Sequence, residues 1–540
     1  YEGLQAIDVG GAAHDCLMLV YAGDDKLFIP VENIEVVTRY GAEGGPGQLD
    51  RLGGAAWQAR KARMKQRIRD MAEQLMQIAA ARLLKDAPRL EGHPGAYDEF
   101  CARFPYDETE DQLRAIQDTL DDLAQGRPTD RLVCGDVGFG KTEVAIRAAF
   151  KAVESGRQVA VLVPTTVLAE QHERTFRSRM ADYPFTVASL SRFKTDAEAR
   201  ATLKKVALGQ VDVLIGTHRI LSKDVQFADL GMVIIDEEQR FGVEHKNKLL
   251  KLRLTADVLT MTATPIPRTL SLTLFGDLDV STIHGLPPGR KPIITRVVGS
   301  EKSDDVYEYI ASRVAKGEQV YVVVPAIDEA EEESENQLKS VAAHSRLLQE
   351  KYFANFTVAS MHGRLKPAER DAIMAQFRDG SVHVLVATTV IEVGVDVPNA
   401  TMIVIEHAER FGLAQLHQLR GRIGRGTKDV KNLCVLIADP VTDEGQQRVE
   451  AIAASNDGFK IAEKDLEIRG MGDFFGTRQH GMPPLRVAKI PEDMDLLQLA
   501  KRDAVDMVKA DAQLKLASNQ TLRKILLKQY GTALGLIDVG

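Results

Sequence analysis

The sequence predicts an α/β protein dominated by two successive parallel-sheet lobes, with a small β-rich unit in front and a helical tail behind. Three observations carry that prediction. Between about residues 100 and 285, apolar runs of strand length alternate with helical patterns: Val159-Ala-Val-Leu-Val163, Val211-Asp-Val-Leu-Ile215, Met232-Val-Ile-Ile-Asp236 and Val258-Leu-Thr-Met261. Strands buried on both faces read that way, and parallel neighbours need a helical crossover between them. The alternation breaks at Gly285-Leu-Pro-Pro-Gly289, then restarts with Val320-Tyr-Val-Val-Val324, Val384-Leu-Val-Ala387, Met402-Ile-Val-Ile405 and Leu433-Cys-Val-Leu-Ile437. Finally, a glycine-rich loop joins the apolar Leu132-Val133 to the helix-like Glu143 to Phe150.

Taken in order, residues 1–45 form the small β unit. Cys16-Leu-Met-Leu-Val-Tyr21, a turn at Gly23-Asp-Asp25 and Lys26-Leu-Phe-Ile-Pro30 predict a β-hairpin. Gly41 to Gly47 ends it. Residues 50–98 read as a basic helix and linker, with Arg60, Lys61, Arg63, Lys65, Arg67 and Arg69 close together. Such a run is either a solvated face or a contact with DNA or another domain. The first lobe takes residues 99–285 and the second 286–445, where the acidic stretch Asp328 to Glu335 reads as a mobile surface loop. Residues 446–540 turn Gly-rich at Gly470, Gly472, Gly476 and Gly481 and then helical.

The 540 residues carry 69 Lys and Arg against 77 Asp and Glu, a net charge of −8. This excludes a uniformly basic, histone-like binder, so any nucleic-acid surface must be a local patch. Cys16, Cys101, Cys134 and Cys434 lie far apart with no C-x-x-C pair. That argues against a zinc ribbon or a disulfide framework and for a reducing cytoplasm. The sequence has no apolar run near the roughly 18 residues of a membrane helix, so no membrane partner is expected. Tyr1 stands where an initiator Met would, and the reading expects that something upstream has been removed.

Gly135-Asp136-Val137-Gly138-Phe139-Gly140-Lys141-Thr142 fits G-x-x-x-x-G-K-[ST]. Its glycines let backbone wrap phosphates, Lys141 reaches the β/γ-phosphates, and Thr142 suits Mg²⁺. At the end of Met232-Val-Ile-Ile stand Asp236, fit to hold the Mg²⁺ shell, and Glu237, fit to orient and deprotonate an attacking water. Gln418-Leu-Arg-Gly-Arg422-Ile-Gly-Arg425 in the second lobe supplies Arg422 and Arg425 as candidate arginine fingers, with Gln418 counted beside them. A basic helix face on DNA is the competing reading. The spacing of three would put both arginines on one helical face.

These motifs resemble the superfamily-two helicases over nearly the whole chain. The resemblance implies RecA-like lobes, a P-loop NTPase core using ATP and Mg²⁺, and DNA-dependent ATP hydrolysis. Thr262-Ala-Thr-Pro-Ile-Pro-Arg-Thr269 resembles the motif coupling the ATP and nucleic-acid sites. Pro164-Thr-Thr166 and Gly216-Thr-His218 resemble strand-contact motifs, which implies DNA contacts at Thr165, Thr217, His218 and Arg219. Ala387-Thr-Thr-Val-Ile-Glu-Val-Gly-Val-Asp396 resembles a motif touching both ligands, which implies Thr388 on DNA and Gly394 and Asp396 on nucleotide. Phe104, Thr109 and Gln112 resemble the adenine-reading motif, with Gln112 at the edge of the base.

Up to about residue 255 the chain is similar to the transcription-repair coupling factors. Residues 1–45 resemble their RNA-polymerase-interacting domain, which implies that partner, and Leu52-Gly-Gly-Ala-Ala-Trp57 resembles the opening of their relay helix. From about Thr260 the chain looks more like the RecG fork-remodelling helicases, through Leu270 to Asp279, Leu286 to Pro292 and Met361 to Lys366. Both families carry a translocation motif, a helical hairpin, matched here by Ile468-Arg-Gly-Met-Gly-Asp-Phe-Phe-Gly-Thr-Arg-Gln479; the likeness implies DNA contacts at Arg469, Arg478 and Gln479. The coupling factors' excision-protein-like and autoinhibitory domains have no counterpart here, nor does the RecG wedge. A hybrid lineage, an engineered fusion and a truncated chain would look alike.

The expected activity is ATP-dependent translocation on double-stranded DNA, in repair, fork remodelling or clearance of stalled polymerase. An RNA helicase and an ATP-gated polymerase- or DNA-binding adaptor are the alternatives. His362 and His417 lack partners at metal-ligand spacing, and His417 reads as a polar lining residue. Trp57 and the cysteines read as packing residues.

Overall fold

Alternating side chains in the first thirty residues produce three antiparallel strands, β1 (Gly3–Val9), β2 (Ala12–Val20) and β3 (Lys26–Pro30), in the order β1-β2-β3. Gly3 pairs with Met18 and Cys16 with Pro30, which buries Cys16 and Leu17. The computed structural model describes residues 3–9, 12–21, 25–30, 85–191, 194–241, 255–263, 279–285, 292–325, 334–363, 365–388, 397–424, 430–440, 442–469, 494–511 and 514–526, with single or paired positions at 245, 248–249, 252–253 and 287. The basic stretch from 50 to 84, most of the Gly285–Gly289 hinge, Gly394, Asp396, Arg425, Arg478 and Gln479 lie outside the described residues.

The first lobe is a seven-stranded, wholly parallel sheet. Its strands are β4 (Asp130–Gly135), β5 (Gln158–Leu162), β6 (Val187–Leu190), β7 (Val213–Gly216), β8 (Leu230–Asp236), β9 (Asp257–Thr262) and β10 (Asp279–Ile283), in the order β10-β4-β9-β8-β5-β7-β6. Around it run α1 (Pro94–Ala102), α2 (Glu110–Leu123), α3 (Lys141–Glu154), α4 (Thr166–Arg179) and α5 (Asp196–Ala207). Val159, Val161, Val213, Ile215 and Ile234 lie in the core beneath α3 and α4, where full burial contributes about 1.5–3 kcal/mol per side chain.

The second lobe repeats the plan with six parallel strands. These are β11 (Ile294–Val298), β12 (Gln319–Val323), β13 (Val358–Met361), β14 (Val384–Ala387), β15 (Ala400–Ile405) and β16 (Leu433–Ile437), in the order β11-β16-β15-β12-β14-β13. Its helices are α6 (Ser303–Val314), α7 (Ser334–Lys351), α8 (Pro367–Asp379), α9 (Leu413–Arg420), α10 (Asp443–Ala454) and α11 (Gly458–Arg469). Farther on lies α12 (Met494–Ala510). Glu335, read with the acidic loop, is instead in the first turn of α7. Among the described residues, no helix is long and apolar enough to cross a membrane.

Both lobes follow the predicted α/β plan. Parallel sheets open their functional crevices at the carboxyl ends of the strands. Gly135, Asp236, Thr217 and Thr388 all stand at or just past such ends.

Candidate active site

Strand β4 delivers Gly135 into the phosphate loop, and α3 begins at Lys141 directly behind Gly140. Gly138 and Gly140 hold φ of 79° and 80°, a region that disfavours side chains. A Cβ on Gly140 would also stand 2.1 Å from Gln112 Nε2. Lys141 is buried, and its ammonium donates to the carbonyls of Gly135 at 2.6 Å and Asp136 at 2.8 Å. Burial lowers the Lys141 pKa against the opposing pull of Glu237, Asp236 and Asp136. Thr142 sits half-buried in the first turn of α3.

The strand carboxylates face this loop from β8. Asp236 is half-buried, with His172 Nε2 of α4 3.0 Å from its Oδ2. Glu237 is buried in the left-handed region, φ 56° and ψ 54°. Its backbone N–H donates to Met261 O, and its Oε1 accepts from the Ala263 N–H at 2.8 Å. The candidate base is thereby tied to the Thr262-Ala263 motif that follows β9.

Thr109 and Gln112 form a reciprocal cap at the start of α2. Gln112 Oε1 accepts from the Thr109 N–H at 2.8 Å, and Gln112 Nε2 donates to Phe139 O in the phosphate loop at 2.8 Å. The amide thus ties this segment to the loop; its second N–H and second lone pair are what an adenine edge would use. Phe104 is half-buried, with the Arg147 and Arg179 guanidinium carbons 5.5 and 5.4 Å from its ring centre. Glu143 anchors both, at 2.9 Å to Arg147 Nε and 2.8 Å to Arg179 Nη2, and Glu108 also pairs with Arg147. Cys134, next to the loop, is buried, which pushes its thiol up to about 12.

The second lobe brings its arginine motif onto this loop. His417 Nε2 is 2.7 Å from Asp136 Oδ2, across 281 residues of sequence. A Cβ on Gly421 would stand 3.1 Å from Val137 Cβ, so the two backbones meet closely here. Gln418 Oε1 lies 3.5 Å from Arg240 Nη2, and Arg422 is buried. One expectation is corrected. Helix α9 ends at Arg420, before Arg422, and Gly424 turns left-handed at φ 78°. Arg422 therefore lies past the end of the helix rather than on its face, and left-handed Gly424 follows it before Arg425, which lies outside the described residues.

The candidate strand-contact residues fall at the mouths of their sheets. Thr165 caps α4 by accepting from the Leu168 N–H, and Thr217 precedes the turn His218–Leu221. His218 is exposed, with the His245 ring 5.0 Å away. Arg219 is already paired with Asp224 at 2.7 Å, which compensates its charge. Thr388 is buried at the end of β14, and Arg469 is the last residue of α11. Sequence reasoning missed His172 behind Asp236 and the contact of His417 with Asp136. The second had a signal, a histidine beside the arginine motif, but no local partner to explain it.

The donor set fits a nucleoside triphosphate with Mg²⁺. The loop's glycines leave room where a side chain would clash, Lys141 is a buried cation aimed at loop carbonyls, and Thr142 and Asp236 offer the hard oxygens Mg²⁺ prefers.

Comparison with known proteins agrees with this geometry. The DEAD/DEAH box helicase family matches residues 109–273 and the helicase conserved C-terminal domain matches 301–427. The C-terminal part of domain 3 of ATP-dependent DNA helicase RecG matches 455–532, and the CarD-like/TRCF RID domain matches 1–41. The transcription-repair-coupling factor of Bacillus subtilis (strain 168) is 43% identical over 89% of this chain and 40% of its own length. That of Escherichia coli (strain K12) is 42% identical over 94% of this chain and 43% of its own. The chain therefore spans about two fifths of these relatives. A solved structure of RecG bound to a three-way DNA junction superposes with a TM-score of 0.66 at 37% identity, over 84% of this chain and 58% of that one. The likeness to the coupling factors covers 89–94% of the chain, and the RecG family model matches the segment after the lobes. With two helicase lobes meeting at a phosphate loop, the chain belongs to the superfamily-two helicases and shares features with transcription-repair coupling factors and RecG.

Proposed function

We propose that the chain is an ATP-driven motor that moves along double-stranded DNA, of the kind used in transcription-coupled repair or fork remodelling. The observation that carries the reading is the seating of the arginine motif on the phosphate loop, through His417 on Asp136 and Gly421 against Val137. ATP is the substrate. Gly135 to Gly140 would wrap its phosphates, Lys141 and the Arg422 and Arg425 side chains would neutralise charge at the γ-phosphate, and Gln418 would line the same cleft. Glu237, aimed by Ala263, would orient the attacking water and take its proton. Mg²⁺, held by Thr142 and Asp236, would supply Lewis-acid stabilisation of the phosphates. Phe104 and Gln112 would receive the adenine, and Gly394 and Asp396 the nucleotide from the second lobe.

Thr165, Thr217, His218, Arg219 and Thr388 would grip the DNA backbone, and Arg469, Arg478 and Gln479 would move along the duplex. Residues 1–41, which match the CarD-like/TRCF RID family, support RNA polymerase as a protein partner. The DNA junction in the RecG structure supports a duplex rather than RNA substrate. ATP turnover measured with duplex DNA, single-stranded DNA and RNA tests the reading. Duplex stimulation is expected, falling steeply with salt because phosphate contacts dominate; stimulation by RNA alone would overturn it.

A further inference from the structure

The second lobe grips the strand of the phosphate loop at two places. The first runs through α9. Arg420 is buried and donates to His417 Nδ1 at 2.9 Å. A guanidinium only donates, so Nδ1 accepts and the ring proton lies on Nε2, which donates to Asp136 Oδ2. Asp136 in turn accepts from the Val137 N–H at 2.6 Å through Oδ1. Burial alone would raise this carboxyl, but the His417 and Val137 bonds and nearby Lys141 hold it below its usual range.

The second grip starts from the same arginine. Arg420 Nη1 donates to Ile452 O and Ser455 O, both at 2.7 Å, at the end of α10. Ser455 Oγ accepts from the Asp457 N–H, and Asp457 Oδ1 accepts from the Phe459 N–H, which caps α11. The Phe459 side chain crosses to the first lobe. It packs on Leu132 and Cys134 of β4, with Val280 alongside and the His284 ring 4.4 Å away. Cys134 directly precedes the loop's first glycine. Helix α11, so anchored, ends at Arg469, where the candidate translocation motif begins.

We infer that Phe459 is a positioning residue: the fulcrum through which a shift of the phosphate loop, or of the second lobe over it, is delivered to α11 and the DNA-moving segment. The contacts make a closed circuit, from Asp136 through His417 and Arg420 to residues 452–459, and back through Phe459 to β4. A change in the loop at one end of the circuit must move α11 or break a contact. Phe459 touches no part of the ATP chemistry, so its loss separates turnover from movement. This rests on the proposed translocase activity.

The test measures ATP consumed per third strand displaced from a DNA triplex, for the full chain and for Phe459→Ala and Phe459→Leu. DNA-independent ATP turnover should stay within about twofold in both, while Phe459→Ala consumes about fivefold or more ATP per displacement, in the range of coupling changes carried by packed contacts. Phe459→Leu, which keeps apolar packing, should recover most of the coupling. Equal ATP per displacement in Phe459→Ala and the parent would overturn the inference, as would a proportional fall in turnover and displacement, which marks a purely structural contact. A parent chain that hydrolyses ATP yet displaces nothing would instead refute the translocase reading itself, and this inference with it.

Discussion

The two lobes share a frame and differ in what the frame presents. Each lobe has an interior strand, β5 or β12, that opens with a glutamine, Gln158 or Gln319, at which the pairing register shifts. Gln158 Nε2 donates to Val206 O and Val211 O; Gln319 Nε2 donates to Phe377 O and Val382 O. The neighbouring strand then ends in a matching turn. Asp236-Glu237-Glu238-Gln239-Arg240-Phe241 answers Glu406-His407-Ala408-Glu409-Arg410-Phe411. Glu237 and His407 both adopt left-handed backbone, φ 56° and 49°, before a short 3₁₀ turn.

The chemistry of the turns diverges. In the first lobe Glu237 is buried and aimed by Ala263, close enough to Lys141 to oppose the lowering of its pKa. In the second, Glu406 is occupied. The Tyr307 hydroxyl donates to it at 2.5 Å, and His344 Nε2 lies 3.3 Å from the same oxygen. His407 faces Glu409 at 3.6 Å. The same backbone thus presents the proposed base on one side and a packed, hydrogen-bonded carboxylate on the other. What separates them is the phosphate loop, which only the first lobe builds among the described residues.

Glu237→Gln against His407→Gln is the sharpest way to break this comparison. Loss of the base should cut ATP turnover by about 10²–10⁴-fold while leaving nucleotide binding intact. The second-lobe substitution should leave turnover within about twofold. Steady-state ATPase assays read both, and an equal effect would dissolve the distinction between the turns.

Gln158→Leu and Gln319→Leu probe the shared frame. Each removes two buried hydrogen bonds, although Val206 O keeps the Gly209 N–H, so each should cost about 1–3 kcal/mol in denaturant unfolding. Markedly unequal losses would show that the lobes do not share this device.

Glu406→Gln should have the smallest effect, about 1 kcal/mol of stability at neutral pH, with turnover unchanged. Burial would raise the Glu406 carboxyl, but His344 and Tyr307 hold it below its ordinary range. A carboxyl so depressed stabilises the fold above its unfolded pKa, and that contribution is lost as pH falls through the lower folded value. The variant should therefore show a flatter decline of melting temperature on acidification, measurable by thermal denaturation across that range.

Local features were legible in the sequence because they are local. A five-residue apolar run such as Val159 to Val163 specifies a buried strand, and the glycine spacing of 135 to 140 specifies the loop. The turn after Gly421 was misread because spacing alone suggested a helix that the glycines terminate. The link of His417 to Asp136 was invisible for a different reason. Its partner lies 281 residues away, and only the docking of one sheet's lobe on the other's brings them together. Gln112 was read for adenine, whereas its fold-level bond to Phe139 O depends on the path of α2 over the loop. Phe459 carries no motif signal at all, since packing on β4 looks in sequence like any other aromatic.

Triplex displacement on duplex DNA tests the central claim most directly, because it reads movement without requiring strand separation. With ATP, the chain should displace the third strand, and Lys141→Ala, which removes the buried phosphate-loop cation, should displace none. Displacement at equal rate by Lys141→Ala, or none by the parent chain while it hydrolyses ATP, would contradict the account.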